Sequence, residues 1–420
     1  MTRTSPAPSI SKATRTCILI AAYDAGLQTS EGHVARSLLA RLDPDMRVIL
    51  ITRRNNVAEL KASPDFAAAS PNVQLIGFDL PRWAAWWKKG ARGYGLYAYL
   101  WQSIWPFVLK RRRLLLRHIS IVHTLNFHND SIPNMGWILG RPSVWGPINH
   151  HEIAPAWRRE IWPHQVKHLH VVKFFSRRIL WRLDPFLRLA LRRTDKIFCA
   201  GPWVTRRLAP LDEARVIMRS QLGIAKDLAV NAQDRSAGNE TVWLICPGRL
   251  DWIKGVDIAI EAMALLPNNV QLEIIGDGPA ERMLRNLAES HQLSARVHFM
   301  PPMDRNALFA RIARCDLLLF PSAEVAGLIW IEALGCGTPV IAFDGITEIA
   351  TTAREIPGIT LASTGTSRKE AVLNYANAIR SAAEKPVDHA EIASRAVNRY
   401  SWASLAEHVQ DTYRRAVEIE

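Results

Sequence analysis

From Thr241 to Phe343 the chain keeps one beat: a short apolar run, then ten to fifteen residues with helical spacing. TVWLICPG (241–248), VQLEIIGDGP (270–279), RVHFM, DLLLFPS (316–322) and TPVIAF (338–343) are the apolar runs. VDIAIEAMALL (256–266), ERMLRNLAES, RNALFARIAR and GLIWIEALGC (327–336) are the helical stretches between them. A continuous apolar run buries both of its faces, which suits a parallel strand covered by helices on each side. Repetition of that unit predicts right-handed βαβ crossovers and an open parallel sheet.

The first half carries the same beat less regularly. CILIAA (17–22), MRVILIT (46–52), VQLIGF (73–78), HISIVHT (118–124), PSVWG (142–146) and KIFCA (196–200) are its expected strands. The predicted fold class is therefore α/β, with two Rossmann-like parallel-sheet domains. Residues 1–16 form a flexible tail rich in Ser, Thr, Pro and Arg, and 17–225 the first domain. The polar stretch 226–240 is a linker, 241–400 the second domain, and 401–420 a terminal helix. Folds of this class bind ligands at the carboxyl ends of their strands, so chemistry is sought in the loops that follow strands.

Charge separates the halves. Residues 1–225 hold 34 Lys and Arg against 14 Asp and Glu, a net of +20, while 226–420 hold 19 against 25, a net of −6. The first half therefore seeks an anionic partner. Its cations concentrate in 81–118, with nine Lys or Arg, no acid and five Trp, and in 155–193, with ten Lys or Arg, two acids and three Trp. Trp interleaved with cations on apolar surface suits a membrane interface, where rings sit among headgroups and cations meet anionic lipid. Nucleic acid would attract the same charge, but no nucleic-acid motif is present and none is expected as a partner. The alternative is a solvated basic face with Trp in the core. The apolar stretch 96–109 is 14 residues long and interrupted by Gln and Pro, too short to span a bilayer. The five cysteines include no C-x-x-C pair and read as buried, reduced thiols. The expected location is cytoplasmic, peripheral on the inner face of the plasma membrane.

Two segments carry the candidate chemistry. In FPSAEVAGLIWIEALGCGTPVIA (320–342), Glu324 follows a strand and Glu332 lies inside the next helix. Gly327 and Leu328 mark that helix's start, where free N–H groups and the dipole attract phosphate. Each carboxylate can accept paired hydrogen bonds from vicinal hydroxyls, which suits a nucleotide sugar. The structural alternative is a solvated loop Glu and a helix Glu held in an ion pair. In PGRLDWIKG (247–255), Arg249 and Lys254 sit in a turn after a strand, where they could grip a diphosphate. The segment is no Walker loop.

GRLDWIKG, IIGDGP and PSAEVAGLIWIEALGCGTPVIA together resemble retaining glycosyltransferase family 4, of GT-B fold. The likeness covers about 241–345 well and the first half loosely. It implies two Rossmann-like domains facing a cleft, the first on the acceptor side and the second binding the nucleotide sugar. It also implies that Arg249 and Lys254 hold the donor diphosphate and stabilise the leaving nucleotide. Glu324 would then contact the transferred sugar, N–H groups at Gly327 and Leu328 the phosphate, and Glu332 the ribose. Asp277 and Gly278 would line the same cleft. Val325 and Ala326 stand where the family usually has Gly and an aromatic, which bears on the identity of the sugar. Gly32, in TSEGHVARSL, matches one Gly of the family's turn after the first strand; Glu31 replaces a second, and a plain helix N-terminus explains the segment equally well. A His near the anomeric carbon is expected at His150, with His151, His123 and His128 as alternatives and His123 expected to be buried.

The implied activity is direct transfer of a hexose, with retention, from a UDP- or GDP-sugar to a membrane-presented glycan or lipid-linked acceptor in exopolysaccharide or lipopolysaccharide synthesis. No cofactor and no metal are implied, since the basic pair supplies the positive charge. The alternatives are a GT-B nucleotide-sugar epimerase and a non-catalytic membrane- or nucleic-acid-binding protein on the same fold.

Overall fold

The computed structural model describes residues 16–88, 90, 93–111, 116–125, 129–149, 153–219, 223–228, 241–324, 327–345 and 348–418. Thirteen strands make two sheets among these residues. The first sheet holds β1 (Cys17–Ala22), β2 (Arg47–Thr52), β3 (Val73–Gly77), β4 (Ile121–Leu125), β5 (Ser143–Ile148), β6 (Lys196–Cys199) and β7 (Val216–Met218), in the order β3-β2-β1-β4-β5-β6-β7. The second holds β8 (Val242–Pro247), β9 (Val270–Ile275), β10 (Val297–Met300), β11 (Leu317–Phe320), β12 (Val340–Phe343) and β13 (Ile359–Ala362), in the order β10-β9-β8-β11-β12-β13. The fold class expected from the sequence is the one observed. The expected strands all form, with ends shifted by up to a few residues. β7 and β13 were not anticipated: both are short, incompletely buried edge strands, β7 with an apolar run of only three residues and β13 with its run broken by Thr360.

The helices used below are α1 (Ser30–Leu39), α2 (Tyr94–Lys110), α3 (His164–Leu183), α4 (Pro185–Arg193), α5 (Val256–Met263), α6 (Arg305–Arg314), α7 (Leu328–Gly335), α8 (Arg368–Ala383) and α9 (Trp402–Glu418). Contacts gather the chain into two compact units. One takes Met1–Leu125, Met135–Val144 and Tyr413–Glu420; the other takes Asn126–Asn134 and Trp145–Thr412. The expected linker 226–240 lies outside the described residues except for 226–228.

In the first unit all six residues of β1 are buried, as a central parallel strand requires. The 96–109 apolar stretch is most of α2. It buries Trp101 and Trp105 completely, with the Trp101 indole donating to the Phe78 carbonyl at 2.8 Å, and leaves Leu96 and Phe107 exposed. Among the described residues no helix is long and apolar enough to cross a membrane.

In the second unit, α5 and α8 cover one face of the sheet, and Trp157 enters that core with its ring edge-on to Phe343. Arg368 of α8 clamps α5 by donating to Asp257 at 2.8 Å and to Glu261 at 2.7 Å. The other face is covered by α7, which is apolar nearly all round and buried accordingly. All five cysteines are free and buried.

Candidate active site

In the second sheet the chain runs outward from β8 through β9 to β10, then returns to start β11 on the other side of β8. β8 and β11 thus flank a topological switch point, where open α/β sheets hold their ligands beyond the strand ends. Gly248 and Arg249 follow β8, and Pro321 to Glu324 follow β11. The two loops that carried the sequence argument are therefore neighbours because of strand order.

Each loop is fixed locally. Asp251 caps the turn Trp252–Lys254 by accepting from the Trp252 N–H at 2.7 Å. Gly255 then takes a left-handed φ of 71°, and a β-carbon there would stand 2.5 Å from the Pro321 carbonyl. This backbone approach draws the β8 loop against the β11 loop. The Ala323 N–H donates to the Ile253 carbonyl at 2.9 Å and completes the junction. Lys254 and Glu324 consequently meet, with Nζ 2.5 Å from Oε2, and both side chains are partly exposed. Behind them lies Arg158, fully buried, which donates to the carbonyls of Pro321 and Ile253. Burial pushes the Arg158 guanidinium down to about 10, against the opposing pull of Asp257.

The turn after β9 closes a third side. The Leu250 N–H donates to the Asp277 carbonyl at 2.7 Å, and Gly278 packs so tightly that a β-carbon would lie 2.4 Å from the Leu250 carbonyl. Arg249 points outward, 70% exposed, with Asp251 3.9 Å away. Gly327 is the N-cap of α7 and Leu328 its first residue. A small pocket at the strand ends collects Gly248, Arg249, Lys254, Ser322 and Ile329. Two cations thus stand beside a helix N-terminus whose first N–H groups have no partner within the helix, an arrangement suited to a phosphate.

Arg249, Lys254, Asp277, Gly278, Glu324, Gly327 and Leu328 accordingly share one end of the sheet. Glu332 is placed differently: it is buried in α7 and paired with Arg305 of α6. Burial raises its carboxyl above the ordinary value, and Arg305 acts in the opposite sense. Gly32 lies in the first turn of α1, where its N–H donates to the Thr29 hydroxyl at 3.0 Å. His123 lies in β4, fully buried, with Nδ1 2.6 Å from the Tyr413 hydroxyl, as the expectation of a buried strand residue had it. His150, His151, His128, Val325 and Ala326 lie outside the described residues.

Sequence reasoning missed Arg158 and Arg305. Arg158 was one cation in a basic stretch, and nothing local distinguishes a buried Arg from its solvated neighbours. Arg305 had one available signal, an Asp-Arg pair opening a helical pattern after a strand. Also missed was a groove of about 350 Å³ beside the site, lined by Trp162, His170, Lys173, Arg177, Trp252 and Glu324 among others.

Part of the chain is similar to known proteins. Residues 231–393 match the family model described as glycosyl transferases group 1. Over 187 residues the chain is 30% identical to the D-inositol 3-phosphate glycosyltransferase of Mycobacterium marinum, covering 40% of this chain and 37% of that protein. Over 102 residues it is 38% identical to the D-inositol 3-phosphate glycosyltransferase of Mycobacterium leprae, covering 23% of each. The chain thus spans well under half the length of these curated relatives. Among solved structures, the sucrose-phosphate synthase of Thermosynechococcus elongatus superposes over 97% of this chain and 100% of its own, with a TM-score of 0.64 and 17% identity. The fold is that of the GT-B glycosyltransferases. Anabaena HepE, solved in complex with UDP and glucose, superposes over 96% of this GT-B chain and 100% of its own, with a TM-score of 0.57 and 15% identity.

Proposed function

We propose that this chain is a retaining glycosyltransferase, moving a hexose from a nucleotide diphosphate sugar to a membrane-presented glycan or lipid acceptor. The carrying observation is the convergence of Arg249, Lys254 and Glu324 at the carboxyl ends of β8 and β11, beside the start of α7. The similarity to glycosyltransferases supports the reaction class, and the UDP and glucose held by Anabaena HepE support a UDP-sugar donor, with GDP as the alternative base.

In this reading the donor diphosphate lies across Arg249, Lys254 and the first N–H groups of α7. Phosphate competes with Glu324 for Lys254, and the freed carboxylate turns to the sugar hydroxyls. The bond between the anomeric carbon and the diphosphate oxygen breaks as the two cations neutralise the departing charge. The acceptor hydroxyl attacks the same face, and its proton passes to the departing phosphate. Catalysis is then positioning plus electrostatic stabilisation, with no protein nucleophile. Glu332 would accept from the ribose hydroxyls at its Arg305 pair, and Asp277 and Gly278 would line the donor pocket. We assign a role in exopolysaccharide or lipopolysaccharide assembly and peripheral attachment to the cytoplasmic face of the membrane. That attachment is supported by Trp83 and Trp86, 80% and 77% exposed within the cation-rich first segment.

Calorimetric titration with UDP, GDP and ADP tests the donor site. One of them should bind at micromolar affinity, about −8 kcal/mol. Binding by none would remove the donor assignment. Turnover of the matching sugar nucleotide without an acceptor would instead identify an epimerase.

A further inference from the structure

The groove beside Glu324 is asymmetric in charge. Its acids are committed: Lys254 holds Glu324, and Asp251 caps the Trp252 turn. Its cations on α3 are not. Lys173 and Arg177 have no carboxylate within 4 Å among the described residues, and the acid acting on Arg177 at longer range, Asp130, is engaged by Arg207 at 3.0 Å. α3 carries five Lys or Arg and no acid, and α4 adds three more with none. α3 is held to the body at His170, whose Nε2 accepts the Ala154 N–H at 3.1 Å and whose ring stands edge-on to Trp162.

On the inner side of α3, Trp181 packs against the core beside Ile197 and lies under the Arg207 guanidinium, while the outer side of the helix has no cover. None of its twenty residues is buried, and Leu169, Val172, Phe175, Ile179 and Leu183 stand exposed, Leu183 at 69%. Steps of three and four put those five on one stripe of the helix. Leu169 belongs both to the stripe and to the groove wall. Lys173 and Arg177, four apart, line the groove next to it. Apolar stripe, cation pair and candidate catalytic carboxylate therefore follow one another across the surface.

We propose that α3 and its groove dock an anionic phospholipid surface: acyl chains lie against the stripe, a lipid phosphate sits on Lys173 and Arg177, and the acceptor hydroxyl is presented to Glu324. Charge complementarity selects this occupant, because the stripe alone would take any apolar surface, whereas Lys173 and Arg177, side by side in the groove with no carboxylate within 4 Å among the described residues, take an anion. The role of Glu324 rests on the glycosyltransferase reading; the docking does not, and it is measured without turnover.

The test uses the full chain and vesicles of phosphatidylcholine alone or mixed equally with phosphatidylglycerol. Flotation should show far stronger association with the mixed vesicles than with phosphatidylcholine alone, which only the apolar stripe can hold. The double variant Lys173→Ala/Arg177→Ala should lose roughly 25-fold in association, two cations' worth at a membrane surface, and Leu183→Asp should also weaken it. UDP affinity should match wild type in both. A phosphatidylglycerol with a photoreactive headgroup should label residues 162–177 and 251–253. Undiminished association of the double variant, equal association with neutral vesicles, labelling confined to the Trp83–Trp86 segment, or capture of RNA in place of vesicles would each overturn the proposal. Normal docking by a protein that binds no nucleotide would overturn the donor site alone.

Discussion

Lys254 is the residue whose removal separates the donor reading from its rivals. A charge-assisted hydrogen bond contributes about 1.5–3 kcal/mol, so Lys254→Ala should weaken binding of the matching nucleoside diphosphate by ~10- to 100-fold in titration. Glu324→Ala should behave differently. Its ion pair with Lys254 is partly exposed and worth at most about 1 kcal/mol, so nucleotide affinity should stay within about fivefold while transfer is abolished. Equal loss of binding in both variants would show that Glu324 shapes the phosphate site and does not act on the sugar. Arg158 makes a subtler case. Its Nε and Nη1 are buried without a hydrogen-bond partner among the described residues, so the charge is held at a cost. Removing the guanidinium relieves that cost but leaves the buried Pro321 carbonyl without its donor, a loss of about 1–3 kcal/mol. Arg158→Met should therefore lower the thermal midpoint only modestly, yet lower transfer about tenfold, because the β8 and β11 loops lose the guanidinium that joins them. A melting curve and a transfer assay on one preparation decide both halves.

At the scale of elements, α6 and α7 are joined by Arg305 and Glu332, and that pair fixes a pH dependence. Burial holds the Glu332 carboxyl above its ordinary 4.5 in the folded chain. The folded state then binds more proton than the unfolded state between the two pKa values, so stability from this group is complete below 4.5 and falls as pH rises through the folded value. Arg305 limits that loss by lowering the folded value. Arg305→Ala should raise it and make the fall steeper, read as a larger drop in thermal midpoint than wild type between pH 4.5 and 7. The same elements show what a sequence discloses. The central strands were legible because burial on both faces demands unbroken apolar runs, as in CILIAA and DLLLFPS. β7 and β13 were not, since an edge strand buried on part of its surface needs only a short run, as in VIM, or a broken one, as in ITLA. The site was legible where function rests on a loop's own residues, as at Arg249, Lys254 and Glu324. It was illegible where it rests on a partner distant in sequence. Arg305 stands 27 positions from Glu332, and Arg158 163 from Pro321, and no local pattern announces either.

For the whole molecule the governing quantity is the charge gradient, +20 over residues 1–225 against −6 over 226–420. Such a chain meets an anionic surface with one half first. The Debye length falls from about 30 Å at 0.01 M salt to about 3 Å at 1 M, so the long-range part of vesicle association should disappear over that range. The apolar part should not, because transfer of Leu and Phe from water to acyl chains does not depend on charge. Wild-type association with mixed vesicles should therefore fall steeply and level off above zero at high salt. The salt-resistant remainder should shrink in Leu183→Asp, and the steep part should shrink in Lys173→Ala/Arg177→Ala. A curve that runs to zero for the wild type would mean that the cations touch headgroups while the stripe stays in water. Equal slopes for the double variant and the wild type would place the charges that matter on the other basic segment, residues 81–118.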